Sequence, residues 1–380
     1  MAGKLRKWLA MLTHPNTNPN PHQEQDTLPW RPLFTIERSK RAEVTAYGII
    51  SLVDSSNLLN SAENKPLLGI GDTDFQLWSR SLLKPWQLLN HIQVLKAAYP
   101  TLKDEHYAFF MASHSAEPGH IKLLEEIEAI TGASEKALKC PPAAPLSSET
   151  KELLKTRGEK NGRRYHNCSG KHLGYLAAIA AEGRDIGNYL VESELHHSRL
   201  KKIMSALTGR GEETFIHTTD GCQLPNYALS TKEMAALYLS LFNSRPVFTD
   251  PLISACQAYY PELGQIMHRY PRTISGGNRL DYKIMGQNLL GNSELQFIAK
   301  EGADGLLGLA MAPCSRYPQG LGLCIKLSAG FDNRHMELLV REIFERLGLI
   351  EPLQKTAADT AGVKTDHIKT HFHFELERRA

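Results

Sequence analysis

Ser79-Arg80-Ser81-Leu82-Leu83-Lys84-Pro85-Trp86-Gln87 is the stretch on which the reading of this chain turns. Ser81 and Lys84 form an S-x-x-K pair, and residues three apart share one face of a helix. A serine hydroxyl is a weak nucleophile near neutrality and needs a base beside it. A lysine amine fills that role only when uncharged, which takes burial or a neighbouring positive charge. Arg80 is one candidate for that charge. A helix N-terminus adds backbone N–H groups and a positive dipole end where an oxyanion would develop. Pro85 disfavours α conformation at Lys84, so the spacing predicts a tight turn over Ser81–Leu83 and a helix that starts at Lys84. The bland alternative is a capping serine and a lysine that snorkels to solvent. A second S-x-x-K at Ser148–Lys151 warns that the bare pattern arises by chance.

Around this turn the chain changes character in order. Residues 1–30 are polar and rich in Pro, Asn and His, and read as a flexible tail. Strand-like segments follow at Leu33–Glu37, Glu43–Val53 and Leu67–Ile70. After Ser81, Leu88, Ile92, Leu95 and Tyr99 recur on one helical face. Further helices are expected at Gly119–Thr131, closed by Gly132, and at Gly170–Ala181, with Ser169 as cap. Two more are expected at Glu194–Leu207 and Thr231–Phe242, the latter opened by a Ser230/Glu233 capping box. Strands return at Leu295–Ala299, Leu306–Ala312 and Leu321–Leu327, and a last helix spans Glu337–Leu347. The expected architecture is α/β (α+β): strands from both chain ends (31–75 and 295–350) share an antiparallel sheet, and a mostly helical region (81–290) packs beside it. Residues 31–350 read as one folded unit, with a peripheral C-terminal segment over 351–380.

The 380 residues include 44 Lys+Arg and 41 Asp+Glu, a formal charge of +3. A balance this even gives no electrostatic case for nucleic acid or an anionic membrane as partner. No apolar window is long enough to span a bilayer. The apolar run Trp8–Leu12 is shorter than a secretory signal requires, so a cytoplasmic location is expected. Six cysteines are spaced without close pairing, as in a reducing compartment.

Four other segments carry chemistry. Ser113-His114-Ser115-Ala116-Glu117-Pro118 ends the apolar run Tyr107–Ala112, and suits either a site rim or a helix cap. Lys300 closes a strand-like run before Glu301-Gly302-Ala303-Asp304-Gly305, where glycines allow close approach of a ligand. His166-Asn167-Cys168-Ser169-Gly170-Lys171-His172 and Asp220-Gly221-Cys222 bring two thiols and several nitrogens. Two thiolates and a nitrogen suit Zn²⁺; Lys171 must be neutral to serve, and His172, His166 and His114 are more ordinary nitrogen donors. Two buried cysteines and a helix cap are the plainer reading.

Taken together, RSLLKPWQ (80–87), SHSAEPGH (113–120), NCSGKH (167–172), DGCQLP (220–225), SGGNRLD (275–281) and KEGADG (300–305) resemble, in that order, the L-asparaginase II family of the rhizobial (Rhizobium etli) type. The resemblance implies the serine β-lactamase/penicillin-binding-protein-like scaffold and hydrolysis of L-asparagine to L-aspartate and ammonia. It implies Ser81 as nucleophile with Lys84, a second pair Ser113 and Lys300, and zinc on Cys168, Lys171 and Cys222. It also implies Arg80, His172 and Asp220 near the substrate's amino-acid head group. Arg80 and Arg279 are the candidates for the α-carboxylate, where a guanidinium fork fits two oxygens, and Asp220 for the ammonium. Two lysines in one pocket are expected to depress each other's pKa. A homodimer is the family's expected assembly. Family members usually carry Gly where Ala116 and Gln223 stand, which puts substrate preference in question. The competing functions are a penicillin-binding esterase or β-lactamase-like serine hydrolase, and a non-catalytic zinc-stabilised amino-acid-binding protein.

Overall fold

The computed structural model describes residues 28–38, 41–55, 65–191, 194–243, 248–286, 289–290, 294–329, 333–351 and 368–371. The tail expected over 1–30 lies outside these residues apart from its last three.

Ten strands are formed: β1 (Arg31–Arg38), β2 (Arg41–Val53), β3 (Leu68–Ile70), β4 (Leu77–Trp78), β5 (His217–Thr219), β6 (Pro225–Leu229), β7 (Phe297–Gly302), β8 (Leu306–Met311), β9 (Leu321–Leu327) and β10 (Ile368–Thr370). The helices are α1 (Lys84–Leu89), α2 (Ile92–Ala98), α3 (Asp104–Phe110), α4 (Pro118–Thr131), α5 (Ser148–Arg157), α6 (Ser169–Ala181), α7 (Leu195–Thr208), α8 (Thr231–Asn243), α9 (Tyr260–Arg269), α10 (Pro271–Ile274), α11 (Leu280–Met285) and α12 (Asn333–Arg346).

The main sheet runs β10-β1-β2-β9-β8-β7, with β3 paired to β2, and every pairing is antiparallel. Strands from both chain ends therefore share one sheet, as the sequence order implied. The C-terminal segment contributes β10 at its margin. Alternation along the strands sorts side chains to two faces. Ile49, Ile298 and Cys324 join the core shared with the helical region, while Ile50, Ala299 and Leu323 join a second core under α12. A small sheet, β4-β6-β5, lies off the main one.

The tight turn expected before Lys84 forms, and the single helical face expected over Leu88–Tyr99 is divided between two helices. Arg80–Leu83 form a 3₁₀ turn, α1 starts at Lys84 with Pro85 in its first turn, and the chain breaks again before Ile92. Proline is tolerated in a first helical turn, where its missing N–H has no partner to lose. The Ser230/Glu233 capping box forms, with Glu233 N–H donating to Ser230 Oγ (3.1 Å) and Ser230 N–H to Glu233 Oε2 (2.7 Å). Gly132 closes α4 at φ 72°. Ser169 does not cap α6: it is the first helical residue after Cys168, and its hydroxyl donates instead to Arg164 O (3.0 Å).

Gly302 and Gly308 seat the nucleophile turn on the sheet. A Cβ at Gly302 would lie 3.0 Å from Leu82 Cδ1, and one at Gly308 would lie 2.9 Å from Leu82 Cδ2. Leu82 is 1% exposed, so it anchors residues 80–83 against the end of β7, while Tyr238 of α8 holds Leu82 O at 2.9 Å.

Candidate active site

A cleft of about 550 Å³ opens where the 3₁₀ turn, the end of β7, and the turns before α6 and β6 meet. Ser81, Ser113, Arg80, Asp220, Cys168 and Cys222 all line it, as do Arg279, Glu301 and Asp304. Six motifs spread over residues 80–305 thus converge on one space.

Lys84 lies beneath this cleft and is wholly buried. Its Nζ donates to Ala112 O and to Ser113 Oγ (2.9 Å). Neither acceptor is charged. Burial pulls its pKa down to about 8; the charges of Lys171 and Lys300 add to this, and nearby Cys168 and Cys222 oppose it. The solvent-reaching alternative is therefore excluded for Lys84. It describes the other S-x-x-K instead, where Ser148 and Lys151 are both exposed on α5. The cations that act on Lys84 are lysines, and Arg80 is engaged elsewhere. Desolvation outweighs the lysine–lysine repulsion that the sequence pointed to.

Lys300 is also wholly buried, but its Nζ is 3.0 Å from Asp281 Oδ2 and donates to Glu301 O at 3.2 Å. The Ser113 hydroxyl thus pairs with Lys84, whereas Lys300 pairs with a carboxylate that the sequence reading had left without a role. Asp281 is the second residue of α11 and also accepts from Glu301 N–H (3.1 Å). Arg279, just before α11, donates through Nε to Glu301 Oε2 (2.8 Å).

Arg80 occupies the opposite wall at φ 49°, in the left-handed region. Its Nε donates to Asp220 Oδ1 (2.8 Å), and its Nη1 pairs with Asp304. Asn226 Oδ1 holds its backbone N–H (3.0 Å) and the Ser79 hydroxyl (3.1 Å). The four non-glycine residues with positive φ among the described residues are Arg80, Ala116, Gln223 and Asp304, and each sits in one of the motifs around the cleft. Backbone strain of this kind gathers at functional sites. Ala116 and Gln223 are the two positions where glycine was expected, and their φ values of 57° and 76° give the reason. Gln223 is exposed and neither residue lines the cleft, so neither narrows it directly.

Cys168, Lys171 and Cys222 also come together. Lys171 Nζ is 3.2 Å from Cys222 Sγ, and the two thiols share a hydrogen bond that, with the nearby lysine charges, holds Cys168 well below the ordinary thiol range. Among the described residues no three His, Cys, Asp or Glu side chains gather as a metal group. The donor set would be two buried sulfurs and one amine. It suits Zn²⁺ with one position open once Lys171, whose pKa burial lowers but Cys222 and Cys168 push up overall, loses its proton in competition with the incoming metal.

His172 is not part of the cleft wall. It is wholly buried in α6, and its Nδ1 is 2.8 Å from Tyr189 OH. His114 is a structural link rather than a ligand. Ala116 N–H donates to its Nδ1 (3.1 Å), so Nε2 carries the proton and donates to Ser169 Oγ (2.8 Å). That bond ties the Ser113 loop to the Cys168 turn. His166 lines the cleft and accepts from Cys168 N–H at 3.0 Å.

Among the described residues no helix is long and apolar enough to cross a membrane. The family model described as L-asparaginase II matches residues 35–373. No curated protein matches in sequence. Among solved structures, a probable glutaminase from Bacillus subtilis complexed with 6-diazo-5-oxo-L-norleucine is 12% identical, with TM-score 0.36, covering 80% of this chain and 85% of that one. A halotolerant bacterial β-lactamase is 10% identical, with TM-score 0.36, covering 80% and 95%. A carbapenemase from Vibrio cholerae is 11% identical, with TM-score 0.34, covering 79% and 94%.

Proposed function

The chain belongs to the L-asparaginase II family and is an amidohydrolase; from that premise we propose that it hydrolyses L-asparagine to L-aspartate and ammonia through a serine acyl-enzyme. The observation that carries this reading is the environment of Lys84, a buried amine with two neutral acceptors and no carboxylate among its hydrogen-bond partners. A neutral amine has two N–H groups and one lone pair. The N–H groups match Ala112 O and Ser113 Oγ, which leaves the lone pair for the Ser81 hydroxyl three residues away.

In this mechanism Ser81 Oγ attacks the side-chain carboxamide carbon as Lys84 takes its proton. Backbone N–H groups of Ser81 and Ala303 are the proposed oxyanion donors. Ala303 lines the cleft at the turn that follows β7. Removing one such donor costs roughly 10²–10³ in rate. The proton returns from Lys84 through Ser113 Oγ to the departing nitrogen, the carbon–nitrogen bond breaks, and ammonia leaves. Water then attacks the β-aspartyl ester as Lys84 takes its proton, and Lys84 returns that proton to Ser81 Oγ as the ester bond breaks and aspartate leaves.

Zinc, held by Cys168, Lys171 and Cys222, is proposed to fix the two cysteine turns and so orient Asp220 and Arg80 for the head group; as a Lewis acid it would supply charge beside the cleft. A homodimer is proposed from the family resemblance, and a cytoplasmic location from the short apolar run Trp8–Leu12.

The test is ammonia release from L-asparagine, L-glutamine and D-asparagine by wild type and Ser81→Ala. Release from L-asparagine, lost in the variant, supports the reading. Turnover of nitrocefin with no ammonia from any amide would select the β-lactamase-like alternative, and a Ser81→Ala variant with every wild-type activity would select a different mechanism.

A further inference from the structure

Asp281 and Glu301 are two carboxyl groups buried beside one another, at 0% and 2% exposure. One oxygen of each is well satisfied: Asp281 Oδ2 by Lys300 and Glu301 N–H, and Glu301 Oε2 by Arg279. The other oxygens, Asp281 Oδ1 and Glu301 Oε1, are buried and lack any fixed donor among the described residues. Buried polar atoms are rarely left in that state. The two side chains lie within hydrogen-bonding reach of each other, but two ionised carboxylates are both acceptors and cannot bond. A single proton turns one of the two carboxyl groups into a donor to the other, the bond that two carboxylates cannot form.

We infer that Asp281 and Glu301 hold one proton in common, and that this proton makes the β7 wall the carboxylate-recognising end of the cleft. Lys300 and Arg279 are two cations facing the pair. With one proton in place they meet a single negative charge, so one positive charge is uncompensated. Arg279 commits Nε to Glu301, lines the cleft, and keeps 21% of its side chain exposed. Its terminal nitrogens are the fork that a substrate carboxylate would meet. On the opposite wall Asp220 and Asp304 flank Arg80 and take up its guanidinium. A zwitterionic head group is thereby oriented, ammonium toward Asp220 and Asp304, carboxylate toward Arg279. This assigns the α-carboxylate to Arg279 over Arg80, and rests on the amidohydrolase reading above.

The proton resides on Glu301. Burial and the Asp281 charge push its pKa up to about 8, while the Lys300 charge holds Asp281 well below the usual carboxylate range. The other charged or titratable groups facing the pair are Lys300 on β7, Arg279 before α11, and the Tyr238 phenol of α8; Lys84 of α1 lies beyond Lys300. Glu301 is thus a specificity-determining residue whose neutral form admits the substrate anion.

The experiment measures KM and kcat for L-asparagine from about pH 6.5 to about pH 9.5, a span centred on the Glu301 value of about 8, in wild type and Glu301→Gln. The substrate's own ammonium titrates in this range, so the comparison is between the two proteins. KM of wild type is expected to rise with pH by roughly tenfold more than KM of Glu301→Gln, the worth of one charge-assisted contact, with no matching difference in kcat. An equal rise in both would overturn the role of Glu301. A second readout needs no activity: infrared difference spectra of wild type are expected to contain the C=O band of a buried carboxylic acid at neutral pH, lost on titration through about pH 8. Absence of that band would overturn the shared proton. If the band is present while asparagine releases no ammonia, the amidohydrolase reading has failed and the shared proton has not.

Discussion

Lys84 and Lys300 are equally buried beside the same cleft, yet their surroundings make them different chemical objects. Lys84 touches a carbonyl and a hydroxyl, and its burial is offset by no carboxylate in contact. Lys300 has Asp281 at 3.0 Å, itself 0% exposed. Burial alone therefore does not make a lysine a base. An amine surrounded by neutral acceptors loses its proton easily, whereas an amine beside a buried carboxylate serves as fixed charge. The first suits proton transfer from Ser81, and the second suits polarising the cleft.

The largest expected effects follow directly from that contrast. Lys84→Met is expected to lower kcat/KM for asparagine by roughly 10²–10⁴, the range for loss of a general base, while denaturation curves shift little or toward higher stability. Lys300→Met is expected to destabilise by about 3–5 kcal/mol, because it removes the cation in direct contact with the buried Asp281. Chemical denaturation checks both. A Lys84 variant that unfolds while the Lys300 variant stays stable would invert the comparison.

Next in size is the pH response. Lys84 with a pKa of about 8 is an ammonium below that value and cannot accept a proton. It is a free amine above it. The log of kcat is expected to rise with pH and level off above about 8, and the rising limb is expected to vanish in Lys84→Met. An optimum below about pH 6 would count against any lysine base. Metal removal by chelation is expected to raise KM more than it lowers kcat, since the cysteine turns orient the head-group wall; the opposite split, measured on the apo and zinc-restored enzyme, would point to a metal-activated water.

Much of this was legible in the chain. Pro85 marks the first turn of α1, where its missing N–H costs nothing, and Lys84 takes α-region backbone (φ −56°, ψ −38°) despite the usual restriction before proline. The short apolar runs around residues 49–53 and 321–327, rich in Ile, Val and Leu, give the central strands. The buried helix Asp104–Phe110 was not legible as such. Its second half merges into the apolar run Tyr107–Ala112, and an all-apolar run has no period to read. The partners of the two lysines were hidden for another reason. Ser113–Lys84 and Lys300–Asp281 are contacts made by the fold, and no local pattern in a single sequence reports them. Asp281 lies within SGGNRLD with no neighbour in sequence that points to Lys300, and Ser169 has the position of a cap, since serine before a helix usually is one. The positions of Ala116 and Gln223, by contrast, carried a signal, since glycine at a family position marks a left-handed backbone.

The smallest effect tests that last point. Gln223→Gly is expected to stabilise the protein by about 1 kcal/mol, the cost of a left-handed residue with a Cβ, visible as a higher melting temperature with little change in KM. Gln223 has φ 76° and an exposed side chain, so glycine forfeits no packing.

The central claim is that Lys84 is the amine that becomes neutral. NMR titration of the lysine side-chain resonances, with Lys84 assigned by its loss in Lys84→Met, reads this directly. The account predicts a midpoint at about 8 for Lys84. A Lys84 signal that stays charged to the ordinary lysine value of about 10.4 would contradict it.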